Sequence, residues 1–232
     1  MIKVDKYEIS KEIFGLICLI DSENDMLKQI ASSNKIANYV ENLPKINFKV
    51  KTLLRKNSNH KYVDELNLNI NKRIKELNII EKKKLLFLVS IFTQKEVIIL
   101  DEPLLLLNKK DKSNMINIIR NLNKCVIVKL NNIRDAKLLC DRAVLVKNNK
   151  YFDFDLKSNY KWIKIKAENI NKVKLPLKNM KIDSFDQNQV EFIYNGEINE
   201  LFNSVKDIKI LDIEIRECEL EEIIKIYLKN IS

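Results

Sequence analysis

Two adjacent carboxylates, Asp101 and Glu102, end an unbroken apolar run from Val97 to Leu100, and Pro103 follows them. A short run that is apolar on both faces reads as a central strand of a parallel sheet covered by helices. A carboxylate at the C-terminal end of such a strand can hold Mg²⁺ through water, and the next carboxylate can polarise an attacking water. That sheet edge is also where α/β proteins take their ligands. Asp101 is therefore the candidate metal-binding residue and Glu102 the candidate catalytic residue. The competing reading is a strand running into an acidic turn, with both acids serving as strand-end caps or ion-pair partners.

Chemistry of that kind also needs a loop that grips phosphate, and such loops are rich in glycine. This chain has two glycines in 232 residues, against a usual share of about 7%. Hydrophobic residues make up 46%, enough for a sizeable core. The formal charge is +10, but the lysines are spread along the chain with acids between them. A nucleic-acid footprint would be a clustered face or stripe, so the composition disfavours that partner. An A/T-rich coding sequence accounts for the abundance of Lys, Asn and Ile. Cys18, Cys125, Cys140 and Cys218 are widely spaced and form no CxxC pair, which argues against zinc and for a reducing compartment. The N-terminus carries charges every few residues, unlike a signal peptide. The apolar runs are far short of the roughly 20 residues that span a bilayer. The expectation is a cytoplasmic chain, held at the inner face of the membrane only if a partner tethers it.

The elements that must position the two acids alternate. Residues 12–20 read as a buried strand, 26–34 as a short helix and "IANYVENLP" as a brief strand. "VDELNLNINKRIKEL" fits one helix, and "EKKKLLFLVSIFTQ" a mostly buried one. After the acids come an amphipathic helix with Met115, Ile116, Ile119 and Leu122 at helical spacing, the strand "KCVIVKL", a short helix, and the strand "RAVLVKNNKYF". This order predicts an α/β layer with a mainly parallel sheet and flanking helices. Near residue 155 the pattern changes to alternating strands, "YKWIKIKAE", "QVEFIYN" and "DIKILDIEIREC", with the helices "EINELFNSVK" and "ELEEIIKIYLKNI". Two domains are expected: 1–154, and a small α+β unit over 155–232.

The order and spacing of "LLFLVSIFTQKEVIILDEP" and "VIVKLNNIRDAKLLCDRAVLVKNNK" resemble the ATP-binding cassette (ABC) family of transporter ATPases. The opening "KEIFGLI" is similar to the strand that leads into that family's phosphate loop. The C-terminal segment is similar to the small domain of the subunits that serve exporters of antibiotics, bacteriocins and other hydrophobic cargo. The resemblance implies a P-loop NTPase fold, with Mg²⁺ at Asp101 and water activation by Glu102. Its implied partners are a membrane permease and a second cassette, the same or different.

The motifs around the acids depart from the family. "CLIDSEND" stands where the phosphate loop should be, with Asn24 at the lysine's place, Asp25 at the hydroxyl residue's, and Asp21, Glu23 and Asp25 repelling a polyanion. "LNIIEKKK", Leu77 to Lys84, replaces the signature loop that offers donors to a partner's γ-phosphate. "LLLLN" replaces a loop ending in Leu-Asp, with Asn108 for the aspartate, and Asn131 stands for a γ-phosphate histidine. The lone His60 reads as a surface residue, and Tyr7 is a weak candidate for stacking on adenine. The β-rich arm is shortened, and the helical insertion that grips the permease is reduced to about residues 43–80. ATP and Mg²⁺ as cofactors are thus placed in doubt. The expected function is a hydrolysis-deficient cassette acting as a structural or regulatory partner. An active or nucleotide-binding ATPase subunit, and a basic module for nucleic acid or anionic membrane, are the alternatives.

Overall fold

A computed structural model describes residues 2–18, 24–147, 150–157, 160–168, 180–206, 208–219 and 222–223. Its contacts divide the chain into two units, Met1–Leu156 and Lys157–Ser232.

The first unit opens with an antiparallel hairpin of β1 (Ile2–Val4) and β2 (Tyr7–Ile9), turning through Asp5 at φ 52°. Strands of three residues hold too few alternations to register as a pattern, and the hairpin was not anticipated. Next come β3 (Ile13–Cys18), buried throughout, α1 (Asn24–Ser33) and β4 (Ala37–Tyr39). Residues 34–36 alone join α1 to β4, so no arm is inserted there.

The insertion that follows is made of short pieces. These are α2 (Val50–Leu54), a 3₁₀ turn over Arg55–Asn59, α3 (Lys61–Glu65) and a second 3₁₀ turn over Ile74–Glu76. A bridge between Lys49 and Arg73 ties its two ends. The single helix expected over Val63–Leu77 does not form. Asn67 has φ 50°, and the Asn69 side chain accepts a hydrogen bond from the Asn71 N–H at 2.9 Å. Asparagine side chains compete in this way with the helical ladder.

The remainder alternates: α4 (Ile79–Ile91), β5 (Val97–Asp101), α5 (Lys109–Arg120), β6 (Cys125–Leu130), α6 (Ile133–Leu139), β7 (Arg142–Lys147) and β8 (Lys150–Phe154). The sheet order is β4-β5-β6-β3-β7-β8, parallel except for the β7–β8 hairpin. This is the mainly parallel α/β sheet that the alternation predicts. On one face Phe14, Leu16, Ile99, Cys125 and Ile127 form a core with Met26, Leu27 and Ile30 of α1. That face leads directly to the acids.

The second unit is an antiparallel sheet in the order β10-β11-β9-β12. Its strands are β9 (Lys161–Ala167), β10 (Met180–Phe185), β11 (Gln189–Tyr194) and β12 (Ile210–Glu217). The helix α7 (Ile198–Val205) packs Leu201 and Val205 against Ile163, Ile165, Val190 and Phe192. β10 was not anticipated from its polar sequence. The closing helix expected after Cys218 lies almost wholly outside the described residues.

Candidate functional site

Asp101 is the last residue of β5, and in the parallel register it stands level with Lys129 of β6. Lys129 in turn stands level with Leu16 of β3. Residues level in such a pair point to the same face, and side chains alternate along a strand. Lys129 therefore extends the row Cys125, Ile127 along the core shared with α1. It is only 4% exposed, and its Nζ lies 3.4 Å from Asp101 Oδ1. From β4 the Tyr39 hydroxyl approaches Asp101. Burial, then the charges of Asp101 and Glu41 and the polar contact with Asp101, push the Tyr39 phenol up to about 12. The carboxylate proposed for a metal thus has an ammonium and a hydroxyl beside it.

Glu102 turns out of the sheet with φ 44°, a left-handed conformation that costs a non-glycine residue. Its N–H donates to the Lys129 carbonyl at 3.0 Å, extending the β5–β6 ladder by one bond. Asn131 Nδ2 lies 3.5 Å from Glu102 Oε2, so the residue at the histidine's place does meet the candidate catalytic acid. Lys83 of α4 is half-buried nearby. Burial lowers its ammonium pKa, and the charges of Glu102 and Asp101 oppose that shift. Tyr39, Lys83 and Lys129 were not singled out from sequence. For Lys129 a signal exists, because a lysine inside an otherwise apolar buried strand demands a partner.

The loop after the acids divides its leucines. Leu104 and Leu107 are buried, whereas Leu105 and Leu106 are exposed, Leu106 at 57% and with φ 66°. Asn108 caps α5 by accepting from the Asp111 N–H at 2.9 Å. The start of α4 is closed by a capping box: Asn78 Oδ1 accepts from the Glu81 N–H at 2.9 Å, and Glu81 Oε2 accepts from the Asn78 N–H at 2.9 Å. Lys72 adds an ion pair to Glu81 at 2.7 Å. The hydrogen bond from Lys72, then that from the Asn78 backbone, hold the Glu81 carboxyl below its usual range.

Other candidates fall elsewhere. Asp21 and Glu23 lie outside the described residues, as do the side chains of Asn24 and Asp25. Lys28 is paired with Glu41 at 2.9 Å. The Tyr7 ring, 7% exposed, packs 5.6 Å from Phe14, and its hydroxyl donates to Asp153 at 2.6 Å, so the ring serves the core rather than a base. His60 is not a plain surface residue. It caps α3 through its Nδ1, which accepts from the Tyr62 N–H at 3.3 Å, and its ring lies 5.0 Å from Phe92. Cys18, Cys125 and Cys140 are buried. Burial pushes the Cys140 thiol up to about 12. Among the described residues no group of three or more His, Cys, Asp or Glu is placed to hold a metal ion, and no helix is long and apolar enough to cross a membrane.

No protein-family model matches the sequence, and no curated protein is significantly similar to it. The fold, in contrast, is shared with many solved chains. An ATP-binding subunit of an ABC transporter superposes with a TM-score of 0.54 at 11% identity, over 63% of this chain and 80% of that one. A bacterial ABC transporter cassette, solved in its dimeric structure, gives 0.52 at 12% identity, over 62% of this chain and 85% of that one. RNase-L Inhibitor gives 0.55 at 15% identity and spans 86% of this chain, which covers 43% of RNase-L Inhibitor's length. The fold is that of the ABC-type ATPase cassette, and at these identities the likeness speaks for fold.

Proposed function

We propose that this chain is a hydrolysis-deficient ABC-type cassette. It acts as a structural or regulatory partner of an exporter permease, an active cassette, or both, and docks at the inner face of the cell membrane. The observation that carries the proposal is the closed start of α4. In an active cassette the signature segment ahead of this helix offers donors to a partner's γ-phosphate. Here Asn78 and Glu81 satisfy two of the N–H groups at the start of the helix from within the chain. The Glu81 carboxylate, held ionised and paired by Lys72, itself takes the anion-favouring place at the helix N-terminus. The exposed Leu105 and Leu106, in the loop after the acids, supply apolar surface for a partner.

A second reading keeps the enzyme, with Asp101 holding Mg²⁺, Glu102 activating water and lysines such as Lys83 holding phosphate. The position of Lys83 near both acids favours it. A phosphate-release assay with Mg-ATP separates the two. The proposal expects wild type and Glu102→Gln to release phosphate at the same background rate. A wild-type rate that the substitution lowers tenfold or more would restore the enzyme.

A further inference from the structure

The residues around Asp101 do not fit Mg²⁺. That ion demands near-octahedral oxygen ligands at about 2.0–2.1 Å, and an ammonium held on the same carboxylate competes with it for those oxygens. Asp101 Oδ1 has the Lys129 ammonium at 3.4 Å, so an ion bound directly to that carboxylate would sit within about 6 Å of a fixed positive charge, and one bound through water would still face it. The Tyr39 hydroxyl approaches the same carboxylate. Both groups are fixed by the sheet: Tyr39 stands level with Ile99, two residues before Asp101, and Lys129 level with Asp101 itself. The Lys129 side chain is buried on the sheet face that carries Leu16 and Ile127, level with Asp101.

We propose that Lys129 is a built-in cation that neutralises Asp101 in place of a divalent ion. The carboxylate that in a working cassette would need Mg²⁺ is compensated by the chain itself. The sheet edge then keeps one electrostatic state whether or not nucleotide and metal are present. This deepens the function proposed above, for it explains how cassette geometry persists in a chain that does not hydrolyse ATP.

The test is a double-mutant cycle on the full chain, with urea unfolding of wild type, Lys129→Met, Asp101→Asn and the double variant. Each is measured with and without about 10 mM MgCl₂, and again with metal-free ATP. Asp101→Asn is expected to lower the folding equilibrium constant about tenfold to hundredfold, because it removes a partner of the buried Lys129 ammonium, and Lys129→Met to lower it less, because the Asp101 side chain is 38% exposed to water. The double variant should lose far less than the product of the two single effects. Mg²⁺ should raise the midpoint of Lys129→Met alone, and leave wild type and the double variant unmoved. Independent single effects, or a wild-type midpoint raised by Mg²⁺, would overturn the proposal. If Lys129→Met does not fold, Lys129→Arg and Asp101→Asn carry the test: neither wild type nor Lys129→Arg should respond to Mg²⁺, and a response by wild type that Asp101→Asn abolishes overturns it. Metal-free ATP separates the two readings. A rise in wild type returns the nucleotide-binding reading and counts against the function proposed above; if that rise also vanishes with Lys129, the built-in cation is overturned as well.

Discussion

Lys84 of α4 and Asp111 of α5 form an ion pair at 2.8 Å, with both side chains almost entirely buried. The pair clamps the helix before β5 to the helix after it, and so frames the acids from both sides. Breaking a buried pair leaves an uncompensated charge, whereas replacing both partners can be nearly neutral. Lys84→Met is expected to cost about 3 kcal/mol in urea unfolding at neutral pH, and Lys84→Met with Asp111→Leu to recover most of it. An equal loss in the single and double variants would show that the pair does not hold the two helices.

The capping box at α4 makes a prediction in pH. The Glu81 carboxyl is depressed below 4.5 by Lys72 and the Asn78 N–H. Its contribution is therefore fully present above the unfolded value and is lost as pH falls through the lowered folded value. Glu81→Gln should flatten the acid limb of a stability-versus-pH curve below about pH 4.5 and leave its shape near neutrality unchanged. Asn78→Ala should cost about 1 kcal/mol at any pH, as the loss of a good N-cap does. An acid limb that Glu81→Gln does not alter would assign it to other carboxylates.

How far the fold was legible depends on where each element's information lies. The parallel strands are legible because each is an unbroken apolar run, and β5 shows its acids at the exposed end. The segment Val63–Leu77 is not, because its leucines and isoleucines suggest a helix while Asn67 and Asn69 break it through backbone and side-chain bonds that periodicity does not see. At the site, Asp101 and Glu102 are visible as a motif, but the partner of Asp101 is not. Lys129 follows it by 28 positions and meets it only through the register of β5 and β6, which no local pattern encodes.

Glu102 carries a left-handed backbone, and its side chain meets Asn131 at 3.5 Å. If that acid has no chemistry to perform, glycine should suit the position better. Glu102→Gly is expected to raise stability by about 1 kcal/mol in urea unfolding, against the loss that glycine brings at ordinary positions. A loss of comparable size would mean that the Glu102 side chain supports the fold.

Gly15 faces the other side of β3. A Cβ built there would lie 2.8 Å from Cys140 Sγ and 3.0 Å from Ala143 Cβ. Gly15→Ala should therefore destabilise the first unit by about 1–3 kcal/mol through overpacking. Gly15→Ala combined with Cys140→Ala should recover part of that in thermal unfolding. A tolerated Gly15→Ala alone would show that Cys140 and Ala143 can give way.

The central claim is that the cassette fold has outlived nucleotide use, and calorimetric titration with Mg-ATP tests it most directly. Wild type and the Asp101→Ala, Glu102→Ala double variant are both predicted to give no binding heat up to millimolar nucleotide. Micromolar binding by wild type that the double variant loses would contradict the account and return Asp101 and Glu102 to the service of ATP.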